Sequence, residues 1–254
     1  MPEATKSVAV GTAPEGAQDE RAAANNVREM FSAIAPRYDL LNHVLSLNVD
    51  RWWWRRTART FAHILARPDA RILDLCCGTG HMALALRRRA GGTRPAILGV
   101  DFSHPMLRLA QAKFAGKNVT ALEADALQLP FTAGRFDLVV TSFGFRNLAN
   151  YDSGLREIHR VLADGGEVGI LDFSEPRGLL GGLYGFYFRR VLPRVGTLIS
   201  GVRGPYQYLP ASVAKFPAPE QMLQRMRAAG FRDVSWTSYT FGIAGLFRGA
   251  KQQR

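Results

Sequence analysis

Apolar positions along the chain recur with two different spacings. Near the start they follow helical spacing over Val27–Ala35, over Leu40–Leu47, and over an aromatic, basic stretch from about Asp50 to Leu65. Pro36 falls between the first two. The residue before a proline is pushed out of the helical region, so two helices with a break are expected there. From Arg71 onward, short apolar runs alternate with amphipathic stretches. The runs predict strands over Arg71–Cys76, Ala96–Asp101, Val119–Glu123, Phe136–Thr141 and Gly166–Phe173. Between them lie helices from about Gly80 to Arg89, from an N-cap at Ser103 through Phe114, and over Asp152–Leu162. Pro105 is tolerated in the first turn of the second of these. A helix near Pro219–Ala229 precedes two β-rich segments, Val234–Tyr239 and Ala244–Gly249.

Strands alternating with helices imply an α/β, doubly wound fold, with a seven-stranded, mostly parallel sheet covered on both faces. The last two strands read as an antiparallel hairpin on one edge. Residues 1–24 read as a disordered tail, and 25–254 as one domain with a helical lead-in (25–68) and a helical insertion after strand five (about 175–215). Composition supports a packed core, with 47% hydrophobic residues among 254. The two cysteines, Cys76 and Cys77, are adjacent, so no disulfide framework is expected, in keeping with a reducing cytoplasm. The opening residues lack the apolar run of a secretory leader. The most apolar stretch, Gly178–Gly201, is broken by Arg189, Arg190, Pro193 and Arg194 and does not read as a membrane span. The formal charge of +12 fits an ordinary solvated, arginine-rich surface as well as attraction to an anionic partner, a membrane surface before nucleic acid.

The sharpest motif is Asp74-Leu75-Cys76-Cys77-Gly78-Thr79-Gly80, a buried strand running into a glycine turn before a helix. Gly78-x-Gly80-x-x-Ala83 also fits a loose dinucleotide fingerprint, which keeps an NAD-dependent dehydrogenase open. Asp74, just ahead of the glycines, suits a cofactor carrying an ammonium and a sulfonium better than a pyrophosphate, and so favours S-adenosylmethionine. Asp101, ending the next strand, is placed to accept from ribose hydroxyls in either case. Asp125 and Ala126 follow the third strand, where a polar side chain and a backbone amide can meet adenine. Ser142 ends the fourth. All four loops belong at the carboxyl edge of the sheet, where open α/β folds bind ligands. No metal enters this reading.

From about Val27 to Lys251 the chain resembles the ubiquinone/menaquinone biosynthesis C-methyltransferases. The blocks that carry the likeness are Met30-Phe31-Ser32-Ala33-Ile34-Ala35-Pro36-Arg37-Tyr38-Asp39 with Asn42, Leu73 to Gly80, and Ser142-Phe143-Gly144-Phe145-Arg146-Asn147. Glu157 to Leu162, Leu171 to Ser174, and Tyr206 to Leu209 with Ser212 complete it. The resemblance implies a class I, Rossmann-like methyltransferase. Its cofactor positions fall on Thr79, Asp101, Asp125, Ala126 and Ser142. It also implies catalytic roles for Arg146, Asn147 and Tyr38 facing a prenylated quinol. Arg146 would steady a phenolate, and its competing reading is an ion pair with Asp172. One departure stands out: His81 occupies the position after Gly-Thr-Gly where the family usually has Asp.

A polyprenylated substrate implies contact with lipid. Two segments suit it: Leu179 to Arg190, apolar and aromatic beside arginines, and Arg51-Trp52-Trp53-Trp54-Arg55-Arg56, in which Trp53 or Trp54 is also a candidate for the core. The expected setting is cytoplasmic, with peripheral contact at the inner face of the plasma membrane. A homodimer is left open. Demethylmenaquinol is preferred over a ubiquinone precursor. A nucleic-acid methyltransferase is disfavoured because the chain lacks an Asn/Asp-Pro-Pro-aromatic motif. A cofactor-binding protein without turnover is the remaining alternative.

Overall fold

The computed structural model describes residues 11, 12, 14, 17–46, 48–176 and 205–253. Its centre is a seven-stranded sheet of β1 (Arg71–Leu75), β2 (Ala96–Asp101), β3 (Val119–Glu123), β4 (Phe136–Ser142), β5 (Leu162–Phe173), β6 (Arg232–Tyr239) and β7 (Ala244–Ala250). The spatial order is β3-β2-β1-β4-β5-β7-β6. The first five strands pair in parallel, while β7 runs antiparallel to both β5 and β6. This is the expected doubly wound sheet with a hairpin at one edge. The order reverses beside β1, so the connections that follow β1 and β4 lead to opposite sides and leave a crevice at the carboxyl edge.

Successive strand residues point to opposite faces, and here both faces are packed. Ile72, Val140, Leu171 and Leu246 join one apolar cluster with Trp53, Trp54, Phe61 and Leu86. Their neighbours Leu73, Val139, Ile170 and Phe247 join another with Leu155, Ile158, Met222 and Met226. The first face is covered by α2 (Val49–Thr60), the one-turn α3 (Ala62–Leu65), α4 (His81–Ala90) and α5 (His104–Phe114). The second is covered by α6 (Tyr151–Val161) and α8 (Pro219–Ala228), with Phe216, just after α7 (Pro205–Lys215), packed between them. Asn150 caps α6, its side chain accepting from the Ser153 amide at 2.9 Å.

Four expectations are corrected. The lead-in is one helix, α1 (Glu20–Leu45), which runs through Pro36 and begins inside the stretch read as a tail. Asp19 starts it by accepting from the Ala22 amide at 2.7 Å. Ile34 and Ala35 before the proline, and Asp39 after it, are all anchored to the domain, and these contacts offset the hydrogen bond that the proline removes. The third helical stretch divides at Phe61, whose backbone (φ −100°, ψ 22°) is not helical. β5 begins at Leu162 rather than Gly166, with a register shift against β4 between Phe136 and Leu138 that accommodates the Asp164-Gly165-Gly166 segment. Ser103 does precede α5, but its hydroxyl does not cap the helix and meets the Ser32 hydroxyl at 3.0 Å instead. Most of the expected insertion, including Leu179 to Arg190, lies outside the described residues.

Candidate cofactor and substrate site

The carboxyl ends of β1, β2, β3 and β4 open into a cavity that is continuous with solvent. Cys76 and Gly78 after β1, Asp101 and Phe102 at β2, Asp125 and Ala126 after β3, and Ser142, Phe143 and Gly144 at β4 form its floor. Ala24, Phe31 and Tyr38 of α1 form its roof. Asn147, from a 3-10 turn (Phe145–Asn147), closes one side.

The glycine turn is shaped by close packing. Gly80 has φ 86°, and a Cβ there would lie 2.4 Å from the Phe114 ring, so only glycine lets α4 start this near α5. Gly144 is equally constrained, because a Cβ would fall 2.3 Å from the Cβ of Cys76. Asp101 fixes the turn, one carboxylate oxygen accepting from the Gly78 amide at 2.8 Å and the other from the Ser103 amide at 2.9 Å. Burial raises its carboxyl, partly countered by these amides. The Phe102 amide also acts on this carboxylate, which retains acceptor capacity for a ribose hydroxyl. Asp125 accepts from the Leu127 amide at 2.8 Å. Ser142 accepts from Trp54 Nε1 at 2.9 Å.

Of the residues expected to meet the cofactor, Gly78, Asp101, Asp125, Ala126 and Ser142 share this one cavity. Asp74, Thr79 and Gly80 do not line it. Asp74 is fully buried beneath the turn, where one oxygen accepts from the Ala83 amide at 2.8 Å and the other has no partner. Burial drives its carboxyl up to about 8, against the pull of that amide and with a smaller push from Asp101. It therefore holds the first turn of α4 rather than an ammonium group. It also occupies an amide that a pyrophosphate would need at that helix start, which argues against a dinucleotide there.

Thr79 and His81 lead to a residue that the sequence reading left without a role. Asp39 of α1 accepts from the Thr79 hydroxyl at 2.5 Å, lies 3.0 Å from His81 Nε2, and pairs with Lys113 of α5. Burial would raise its carboxyl, but hydrogen bonds from His81, Lys113 and Thr79 outweigh burial and hold it well below the usual carboxylate range. The carboxylate expected after Gly-Thr-Gly and lost to His81 is thus supplied at that corner from a different helix. His81 stacks flat on Trp54, with ring centroids 4.7 Å apart. The signal was present in the Tyr38-Asp39 pair, but a 42-residue separation from His81 hides the contact.

The expected catalytic residues separate. Tyr38 and Asn147 line the cavity. Asn147 is held by Tyr208, whose hydroxyl donates to its Oδ1 at 3.0 Å and meets the Thr12 hydroxyl at 2.7 Å. Arg146 lies behind the wall, buried in an ion pair with Asp172 at 2.9 Å. The Arg146 amide also donates to Asp172, at 3.0 Å, and its guanidinium donates to the Phe143 carbonyl. The ion-pair reading of Arg146 is the one the structure has. Its charge is spent on shaping the Phe143-to-Asn147 turn.

The donor set fits S-adenosylmethionine. A carboxylate at the β2 end suits a ribose, a polar loop after β3 suits adenine, and apolar Phe102, Met106 and Leu127 offer the walls.

Solved structures share the fold. One is a SAM-dependent methyltransferase from Thermotoga maritima described as a possible histamine N-methyltransferase. It has a TM-score of 0.61 and 19% identity, covering 89% of this chain and all of that one. Curated relatives are nearer in sequence. A demethylmenaquinone methyltransferase of Thermus thermophilus is 50% identical over 223 residues, 87% of this chain and 99% of the relative. One from Deinococcus radiodurans is 49% identical over 229 residues, 89% and 92% of the two chains. A ubiquinone/menaquinone biosynthesis C-methyltransferase of Geobacter sulfurreducens is 44% identical over 232 residues, 89% and 88%. The model of the ubiE/COQ5 methyltransferase family matches residues 17–251. With a match across nearly the whole folded chain and relatives near half identical, this protein belongs to the ubiE/COQ5 methyltransferase family.

Proposed function

We propose that this protein methylates a ring carbon of a polyprenylated quinol, converting demethylmenaquinol to menaquinol, with S-adenosylmethionine as the methyl donor. The observation that carries the reading is the convergence of four strand-end loops and a helical roof on one largely apolar cavity, in a chain of this family. The names of the relatives in Thermus and Deinococcus favour the menaquinone precursor.

S-Adenosylmethionine supplies an electrophilic methyl group on a sulfonium. Asp101 would hold the ribose end, and Asp125 with Ala126 would meet the adenine edge. The quinol ring would supply the nucleophilic carbon once a neighbouring hydroxyl loses its proton to solvent; the methyl–sulfur bond would break as the carbon–methyl bond forms, the sulfur leaving as a neutral thioether, and loss of the proton on the methylated carbon would restore the aromatic ring, so no covalent nucleophile is needed from the chain. Asn147, fixed by Tyr208, and Tyr38 are the cavity groups that can hold the phenolic oxygen while the proton departs. Phe31 and Phe143 exclude water, and alignment of donor and acceptor supplies much of the rate enhancement. Arg146 acts one step removed, by holding the turn that presents Asn147.

A lipid-tailed substrate favours peripheral contact with a membrane from the cytoplasmic side. No helix among the described residues is long and apolar enough to cross one.

The direct test is transfer of labelled methyl from S-adenosylmethionine to reduced demethylmenaquinone and, in parallel, to the reduced ubiquinone precursor. Incorporation into the first with higher kcat/KM supports the proposal. A preference for the second reassigns the head group. Incorporation into neither, with cofactor binding intact, sinks the quinol reading.

A further inference from the structure

We infer that the outer face of α2, together with the turn between β6 and β7, docks this protein on an anionic lipid bilayer beside the mouth of its own cavity. The inference rests on the quinol reading for its biological sense, but it stands on separate observations.

Two large apolar side chains project from this face. Trp52 is 44% exposed and Phe241 80% exposed. Phe241 has φ 56°, between Thr240 at 46° and Gly242 at 92°. A bulky side chain is a poor choice for that left-handed backbone, where asparagine or glycine serves folding better. At 80% exposure, burial does not offset the choice. The two sites adjoin, since Trp52 lies 5.7 Å from Tyr239 and Trp53 Nε1 donates to the Thr240 hydroxyl at 2.8 Å.

The exposed charge on the α2 side of this face is positive, and exposed Glu175 is the acidic residue beside Phe241 and Gly242. Arg55, Arg56 and Arg59 fall on the same side of α2 as Trp52 by helical spacing, and Arg51 flanks it. Arg51, Arg55 and Arg59 are exposed. The guanidinium of Arg56 sits 5.1 Å from the Trp52 ring and 4.5 Å from that of Tyr239. None of the four pairs with a described carboxylate, whereas Arg67, Arg160, Arg225 and Arg248 all do. The single acidic residue of α2, Asp50, is buried against His43. Exposed aromatics among unneutralised arginines are the chemistry of a headgroup interface.

Position links the face to the site. Ala244 of β7 pairs with Phe173 at the carboxyl end of β5, so the turn before it lies on the same edge of the sheet as the cavity. The three tryptophans of α2 lead inward. Trp52 is outside, Trp53 packs 5.5 Å from Phe143 and 5.9 Å from Phe173, and Trp54 bonds to Ser142 on the cavity floor.

The test uses the full chain and two double variants, Trp52→Ser with Phe241→Asn, and Arg55→Glu with Arg59→Glu. Cosedimentation is measured with vesicles of phosphatidylcholine alone and of equimolar phosphatidylcholine and phosphatidylglycerol. The parent should pellet with the anionic vesicles, and each double variant should lose roughly tenfold or more in partitioning. Cofactor titration should be unchanged in both variants, which establishes that they fold. Turnover of a water-soluble short-chain quinol should equal the parent's, while turnover of the long-tailed quinol in anionic vesicles falls about as far as partitioning. Variants that pellet like the parent would overturn the inference. So would a parent that ignores anionic vesicles, or one that binds polyuridylate through the same arginines instead. If the parent turns over neither quinol, the substrate reading fails while the vesicle result still judges the face.

Discussion

Two buried ionisable groups beside the cavity, Asp74 and Arg146, show why residue type and position alone assign roles imperfectly. Asp74 stands where a carboxylate facing the cofactor was expected, yet it is sealed beneath the turn with one oxygen unpartnered. Its carboxyl, at 3.8 in an open chain, is raised to about 8 by burial. A raised carboxyl contributes stability that is complete below the open-chain value and is lost as pH climbs through the folded one. Asp74→Asn keeps an acceptor for Ala83 and cannot ionise. In thermal melts without cofactor, its melting temperature relative to the parent should climb from about pH 4 to about pH 8 and then level. A difference that stays flat across that window would mean Asp74 is ionised in the fold throughout. Arg146 carries a similar lesson. Removing it leaves Asp172 charged and fully buried, so Arg146→Ala should cost about 3–5 kcal/mol of stability. Denaturant titration reads that directly, and a change under about 1 kcal/mol would show that Asp172 finds another partner. Loss of turnover in that variant cannot be credited to chemistry without this measurement. The motif was legible in the sequence. The side of the wall it faces was not, because that depends on Asp172, which lies 26 residues away.

Among the elements, the strands were the most legible. Each of the first four runs ends within a residue of its expected place; β1, β2 and β4 are buried along most of their length and so read as apolar runs, whereas the edge strand β3 is largely exposed. The helices were less so where a local rule met tertiary contact. The break expected at Pro36 does not occur, since α1 is tied down on both sides of it. The start of β5 was missed because Ala163-Asp164-Gly165-Gly166 has turn composition, and only pairing of Leu162 with Phe136 makes it strand. The contact between the β1 and β4 ends is equally invisible in one dimension. It depends on Gly144 lying against Cys76. Gly144→Ala should push these two loops apart, and cofactor affinity should fall by about tenfold or more, or about 1.4 kcal/mol, in calorimetric titration. Unchanged affinity would show that the cavity floor yields at no cost.

Viewed as one body, the molecule brings a basic chain of formal charge +12 to a site that is itself lined by carboxylates and apolar groups. The net charge pointed to an anionic partner, but only the folded arrangement separates the unpaired arginines of α2 from those absorbed in ion pairs. The roof over the cavity has a kinetic consequence. α1 is fastened to the floor-bearing elements by the Asp39 cluster, by Arg28 to Glu123 at 2.5 Å and by Ser32 to Ser103 at 3.0 Å. The cavity already opens to solvent, so a ligand as large as an adenosyl cofactor is gated to the extent that release of these fastenings must widen that opening. In stopped-flow mixing, the observed binding rate should rise with cofactor concentration and then saturate. Asp39→Ala should lift that ceiling several-fold. A rate that stays linear would mean the cavity fills with its roof in place. The same gate stands in the way of the spent cofactor, so the first turnover should outrun the steady state and appear as a burst of methylated product.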